Sequence, residues 1–280
     1  MKIYKKLATV AMAAFAAVSL TGCDFLAELL DELLDDGGED TEYVDAWANL
    51  VKEDVYDAIL DIKTRTLTYG THSYTIVKEI DLETQEFKEP TASVTFTHIP
   101  SGYTEFSAVY ENLLGKSIAG TAAMIPMAME IYARDAKTGE ACFDLLCSSS
   151  STVSGIIRQL KDKFVPTSYS GEDDSYIQRF IPAALLKGAN PDNAYSPSTP
   201  YTVEMTMSPN GVQEAELSGG VVIYLYILTS GGWDSYQRGV EILLPYDKED
   251  SELEDEFEVF NCPSCYTQCK PIKGTWAGLK

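Results

Sequence analysis

The residues of this chain with the widest chemical reach are its six cysteines, Cys23, Cys142, Cys147, Cys262, Cys265 and Cys269. The last three are spaced C-x₂-C-x₃-C, which resembles part of a zinc or iron–sulfur site, with Cys142 or Cys147 as fourth ligand. Outside the cytoplasm the same five thiols are expected to form disulfides, with at least one left over. Cys142 and Cys147 are five apart on an expected helix, about 140° round its axis, so they are expected to meet the C-terminal cluster rather than each other. Cys262-Pro263-Ser264-Cys265 also has the spacing of a thiol–disulfide exchange motif. Such a motif opens a helix within a βαβ unit, and only 15 residues follow Cys265. Disulfides are the main expectation, and no metal or cofactor is assigned.

Other chemistries are poorly provided for. The two histidines, His72 and His98, fall on expected strands and lack an H-E-x-x-H neighbourhood. Gly115 to Gly120 misses the spacing of a G-x-S-x-G elbow. Gly171 to Ser175 and Asp247 to Glu258 offer hard oxygen ligands, but without the spacing of a calcium loop. Paired carboxylates for glycoside hydrolysis cannot be picked out from 43 acidic residues. With only 21 basic residues and a net charge of −22, the chain repels phosphate backbones, and nucleic acid is not an expected partner.

The first 22 residues read as a processing segment. Lys2, Lys5 and Lys6 precede an apolar run from Leu7 to Leu20, too short for a membrane span of about 20 residues. Leu20-Thr21-Gly22-Cys23 then looks like a bacterial lipobox, with Cys23 as the lipidated residue. Its removal of three lysines leaves a charge of −25 over 258 residues. Acyl chains on Cys23 would hold the protein to a membrane without a spanning helix. Asp24 resembles an inner-membrane retention signal of enterobacteria, and the choice of membrane stays open. Residues 23–41 read as an acidic tether: Asp24 to Asp45 holds ten acidic residues and no basic one. Phe25, Leu26, Leu29, Leu30, Leu33 and Leu34 recur at helical spacing within it, as a spacer or as a helix docked through its leucines.

The remaining residues, 42–280, read as a single α+β domain. Helical spacing runs from Glu42 to about Ile62. Alternating strands follow at Thr64–Tyr69, His72–Leu82 and Ser93–Ile99. Helices are expected at Glu105–Leu114, Gly120–Arg134, Glu140–Cys147, Thr152–Phe164 and Ser175–Leu186. The Gly120–Arg134 segment is apolar nearly all round and should be central, with Pro126 near its start or at a kink. Strands return at Tyr201–Met207, Val221–Thr229, Tyr236–Leu244 and Glu256–Asn261. The third-last of these is almost continuously apolar and is expected to be covered on both faces. The architecture is therefore a mostly antiparallel sheet packed against a central helical segment.

Within this domain, Gly120-Thr121-Ala122-Ala123-Met124, Pro191-Asp192-Asn193-Ala194-Tyr195-Ser196-Pro197, Pro200-Tyr201-Thr202-Val203 and Ser230-Gly231-Gly232-Trp233-Asp234-Ser235 with Arg238 occur in this order. In them the chain resembles an uncharacterised family of secreted bacterial proteins that carry a domain of unknown function, from about Gly120 to the C-terminus. The resemblance implies no activity. Physically the motifs are turns first. The alternative is a ligand site in which Asp192, Asn193, Asp234 and Arg238 converge. The expectation is a lipid-anchored, non-enzymatic binding or envelope-associated protein outside the cytoplasm, with a glycan or protein partner. A carboxylate-dependent hydrolase of glycans or peptides is the alternative.

Overall fold

The computed structural model describes residues 55–80, 82, 92–164, 178–215, 219–233, 235–246 and 256–273. The chain divides into two compact units, Met1–Glu42 and Tyr43–Lys280, and everything below concerns the second. Cys23, the tether, Asp234 and most of the acidic stretch after Tyr246 lie outside the described residues.

Eight strands form one antiparallel sheet in strict chain order: β1 (Ala58–Asp61), β2 (Thr66–Tyr69), β3 (His72–Lys78), β4 (Ala92–Phe96), β5 (Tyr201–Ala215), β6 (Gly220–Leu228), β7 (Gln237–Pro245) and β8 (Glu258–Asn261). Their Thr, Val, Ile and Tyr content suits a pleated surface with one face buried. Four α-helices are described, all between β4 and β5: α1 (Tyr103–Asn112), α2 (Ile118–Arg134), α3 (Ala136–Leu146) and α4 (Ser150–Phe164). β4 and β5 nevertheless pair directly, from Ala92 with Met205 to Phe96 with Tyr201. The helices are thus one excursion from the middle of a meander, and the fold is α+β.

Helix α2 is buried from Ile118 to Tyr132 and shares one hydrophobic core with α1, α3, α4 and residues from β2 to β8. Its first turn is tied down by two side chains. Ser117 Oγ accepts from Gly120 N at 2.9 Å, and Glu79 Oε1 accepts from Ala119 N at 2.9 Å. Glu79 Oε2 also accepts from Ser117 Oγ and from Arg65. A carboxylate here satisfies orphan amides and sits at the positive end of the helix dipole.

Four expectations need correction. The helix expected to reach Ile62 gives way to strand β1, where Ile59 is 67 % exposed. The apolar spacing there serves a sheet edge, and residues 43–54 are outside the described part. Residues 178–186 carry only a short 3-10 turn, Ala183–Leu185, in place of an α-helix, because Pro182 removes an amide within the stretch. In β6, Ile223, Leu225 and Ile227 are buried, but Tyr224 and Tyr226 are only half-buried, so the strand is not sealed on both faces. Pro126 lies in the middle of α2 rather than in its first turn.

A Cβ on Gly120 would lie 2.3 Å from the Leu114 carbonyl oxygen, whereas one on Gly155 in α4 would meet nothing within 4 Å. Gly120→Ala is therefore expected to lose about 2–4 kcal/mol by overpacking at the head of α2. Gly155→Ala should gain about 0.5–1 kcal/mol from helix propensity. Denaturant unfolding of the two variants beside the parent protein checks both signs.

Candidate functional site

Two of the sequence motifs meet where the C-terminal segment 262–273 crosses the β6–β7 loop and the turn around residue 192. Lys270 N donates to Gly231 O at 2.8 Å, and Lys270 O accepts from Tyr195 Oη at 2.6 Å. Lys273 N donates to Pro191 O at 3.0 Å. Ser230 Oγ donates directly to Ala189 O, so the loop and the turn are joined without the tail as well. Gln178 clasps the tail from a fourth side, donating to Cys269 O and accepting from Cys269 N.

The turn itself is built by Asn190 and Asn193. Asn190 Oδ1 accepts from the amides of Asp192 and Asn193, and Asn193 Nδ2 donates to Gly188 O at 2.8 Å and Ser196 O at 2.9 Å. These bonds hold Ala194 and Tyr195 at φ of 51° and 56°, a left-handed conformation that costs free energy in two consecutive non-glycine residues. Tyr195 is fully buried and stacks on Phe180 with ring centroids 4.5 Å apart.

The β6–β7 loop is equally constrained. A Cβ on Gly232 would lie 1.6 Å from Ser235 O, so only glycine allows this pinch. Beyond it the loop presents Trp233, 49 % exposed, and Tyr236, 66 % exposed. Lys270 Nζ lies 5.3 Å from the Tyr236 ring centroid, a cation–π contact.

Of the residues proposed as ligand contacts, Asn193 is a structural clamp and Asp192 is exposed, paired with Lys273 Nζ at 2.9 Å. Asp234 is outside the described residues. Arg238 is on the core face of β7, directed at Cys269 and Cys265. Among the described residues no hydrogen bond or ion pair joins Asp192 or Asn193 to Arg238. Their backbones are brought into one region, but the expected side-chain convergence does not occur there.

The expected disulfides are also absent: Cys142, Cys147, Cys262, Cys265 and Cys269 are all buried thiols. Cys147, just past α3, lies near Cys262, its backbone forming an isolated parallel β-bridge with Val259 in β8. Cys262 hydrogen-bonds with Cys265, and Cys265 N donates to Cys262 O at 3.0 Å. That bond, reinforced by burial, pushes the Cys265 thiol well up. Burial and neighbouring Cys262 push Cys147 up. Burial likewise raises Cys269, against the opposing pull of Arg238. All five thiols are packed inside the core as small apolar groups. No group of three or more His, Cys, Asp or Glu side chains among the described residues is arranged to hold a metal.

A second constellation went unread in the sequence. His72 and His98 stack with centroids 3.9 Å apart and planes inclined by 22°. Beside them Glu105, 1 % exposed, accepts from Tyr74 Oη at 2.7 Å and from Ser101 N and Oγ at 2.8 and 2.9 Å, and bonds His72 Nδ1 at 2.7 Å. The β3–β4 register, Tyr74 with Phe96, sets His72 opposite His98 when extended by two residues, and this was the available signal. Glu105 is saturated by donors and is therefore a fixed anchor. His98 Nε2 is buried with no partner. Burial, then the neighbouring His72 and Arg134, lower His98 to about 4 against the pull of Glu105.

A histidine held neutral in the fold but free to protonate when unfolded stabilises the protein above about pH 6.5 and loses that contribution as pH falls towards 4. For a ring only partly buried, about 1–2 kcal/mol is expected after discounting for solvent screening. Comparing thermal unfolding of the parent and His98→Gln between pH 7 and 4 should show a melting-temperature difference that narrows or reverses on acidification. Parallel curves would remove His98 from the acid response.

The model of a family described as a domain of unknown function, DUF6935, matches residues 98–273. No curated protein and no solved structure matches the chain. The matched span begins at His98, leaves His72 and Glu79 outside, and takes in the turn, the β6–β7 loop and the tail that clasps them. Since it covers well over half of the sequence, the chain belongs to this family, the domain of unknown function DUF6935.

Proposed function

We propose that this protein is a lipid-anchored, extracytoplasmic binding module whose recognition surface is the braced β6–β7 loop, and that its ligand is an envelope glycan. The observation that carries the reading is the exposure of Trp233 and Tyr236 on a loop tied to the rest of the domain by Ser230, Gly231 and Lys270. Rigid aromatic rings give large contact area at little cost in conformational entropy, and sugar C–H faces stack on them. In this reading the antiparallel sheet rests on α2, which fixes the loop's base. The Leu20-Thr21-Gly22-Cys23 motif supports anchoring through Cys23. Glu79 and Glu105, the carboxylates seen most deeply engaged, are committed to donors, which favours a binder over the hydrolase alternative.

A thermal-shift screen of neutral and acidic oligosaccharides against the soluble domain from Thr41 onward tests the reading. A bound glycan at 100 times its dissociation constant should add roughly 2.7 kcal/mol and raise the melting temperature by several degrees. Trp233→Ala should weaken binding at least tenfold, about 1.4 kcal/mol, without changing the unliganded melting temperature. In cells Cys23→Ala should move the protein from the membrane to the soluble fraction; persistence at the membrane would refute the anchor.

An oxidising compartment also bears on the thiols. Cys262 adjoins both Cys147 and Cys265, so a bridge formed there, with two electrons passing to a disulfide-bearing oxidoreductase and two protons released, would include Cys262. Peptide mapping of protein secreted to such a compartment should find Cys262 in the first bridge formed. A bridge between Cys142 and Cys269 alone would contradict this arrangement.

A further inference from the structure

We infer that Arg238 is the anion-recognising group of this surface, so that the ligand of the β6–β7 loop carries a negatively charged group. The inference rests on the binding reading above. Arg238 is 8 % exposed, and its Nη2 is buried without a hydrogen-bond partner. Its described neighbours are the Cys269 thiol, which it hydrogen-bonds, and Cys265 and Tyr195. None of these brings a carboxylate, and an uncompensated guanidinium at this depth is costly to keep. Cationic side chains held in such a position mark sites where an anion completes the set of bonds, since the planar fork matches a carboxylate, sulfate or phosphate in two parallel hydrogen bonds.

Two further observations place that anion at the loop. An ideal Cβ on Gly232 would be 3.7 Å from Arg238 Nη2. The guanidinium thus lies beside the loop backbone next to Trp233, where the Gly232 pinch brings the Ser235 carbonyl in close. The tail brings Lys270 to the same loop, its amide bonded to Gly231 O and its ammonium against Tyr236. In a chain of net charge −22, two cations and two exposed aromatics gathered on one loop select for a ligand with an apolar face and an acidic substituent. An acidic sugar has this combination.

The experiment is isothermal titration of the soluble domain, at matched ionic strength, with a galacturonate trisaccharide, a neutral galactose trisaccharide, and inorganic sulfate and phosphate. The acidic trisaccharide is expected to bind at least tenfold more tightly than the neutral one. Arg238→Met should erase that preference, Arg238→Lys should retain part of it, and the unliganded melting temperature of Arg238→Met should be unchanged or raised. Sulfate or phosphate binding with the same dependence on Arg238 would support the anion site and identify an oxyanion rather than a sugar carboxylate as its occupant. If that occurs while neither trisaccharide binds, the anion site stands and the glycan reading falls. Equal binding of both trisaccharides, lost in Trp233→Ala and indifferent to Arg238→Met, would leave the glycan reading standing and overturn the inference. Equal losses of melting temperature in Arg238→Met and Asp234→Asn would also overturn it, by making Asp234 the internal counter-ion.

Discussion

The pairing of β4 with β5 is the constraint on which the rest of this domain depends. It joins the first four strands to the last four across the whole helical excursion, with Phe96 opposite Tyr201 and Ala92 opposite Met205. Closing so long a segment is less costly than its length suggests, because loop-closure entropy grows only logarithmically, by roughly 0.6 kcal/mol per doubling. What offsets that cost is α2. Its burial from Ile118 to Tyr132 gives the excursion an apolar centre that shares its core with the sheet.

Having buried so much, the fold must account for the polar groups carried inside. It does so with carboxylates taken from one element to serve another. Glu79, just past β3, receives the Ala119 amide in the first turn of α2, and Glu105 in α1 receives the phenol of Tyr74 in β3. Each is a long-range contact between sheet and helices, and each accepts from several donors, so replacing either carboxylate would leave those donors without their acceptor. The charge on these groups is structural.

Much of the architecture was legible because its signals are local. Alternation in His72–Lys78 and Ala92–Phe96, and the all-round apolar face of α2, fix those elements within a few residues. The failures have physical reasons. Ile59 and Ile62 have helical spacing to Val55, yet they belong to or adjoin an exposed edge strand, and periodicity over so few residues does not separate the two. Tyr224 and Tyr226 make β6 look continuously apolar, although their rings are amphipathic and line a half-open face. Taken singly, His72 and His98 carry no motif; only the strand register makes them a pair. The grouping of Asp192, Asn193, Asp234 and Arg238 could not be read from spacing alone, because the inward or outward sense of Arg238 depends on where β7 begins.

The tail explains why the turn and the loop have to be read together. Tyr195 adopts a left-handed backbone, buries its ring on Phe180 and spends its hydroxyl on Lys270 O, while the amide of Lys270 holds Gly231. One residue of the tail therefore links a strained turn to a glycine-pinched loop, and neither could relax without releasing the other. Strain of this kind persists only where its surroundings over-determine it. Here the outcome of that bracing is a loop backbone fixed at Ser230 and Gly231, next to which Trp233 and Tyr236 stand exposed; under the binding reading proposed above, a ligand would not have to order that backbone.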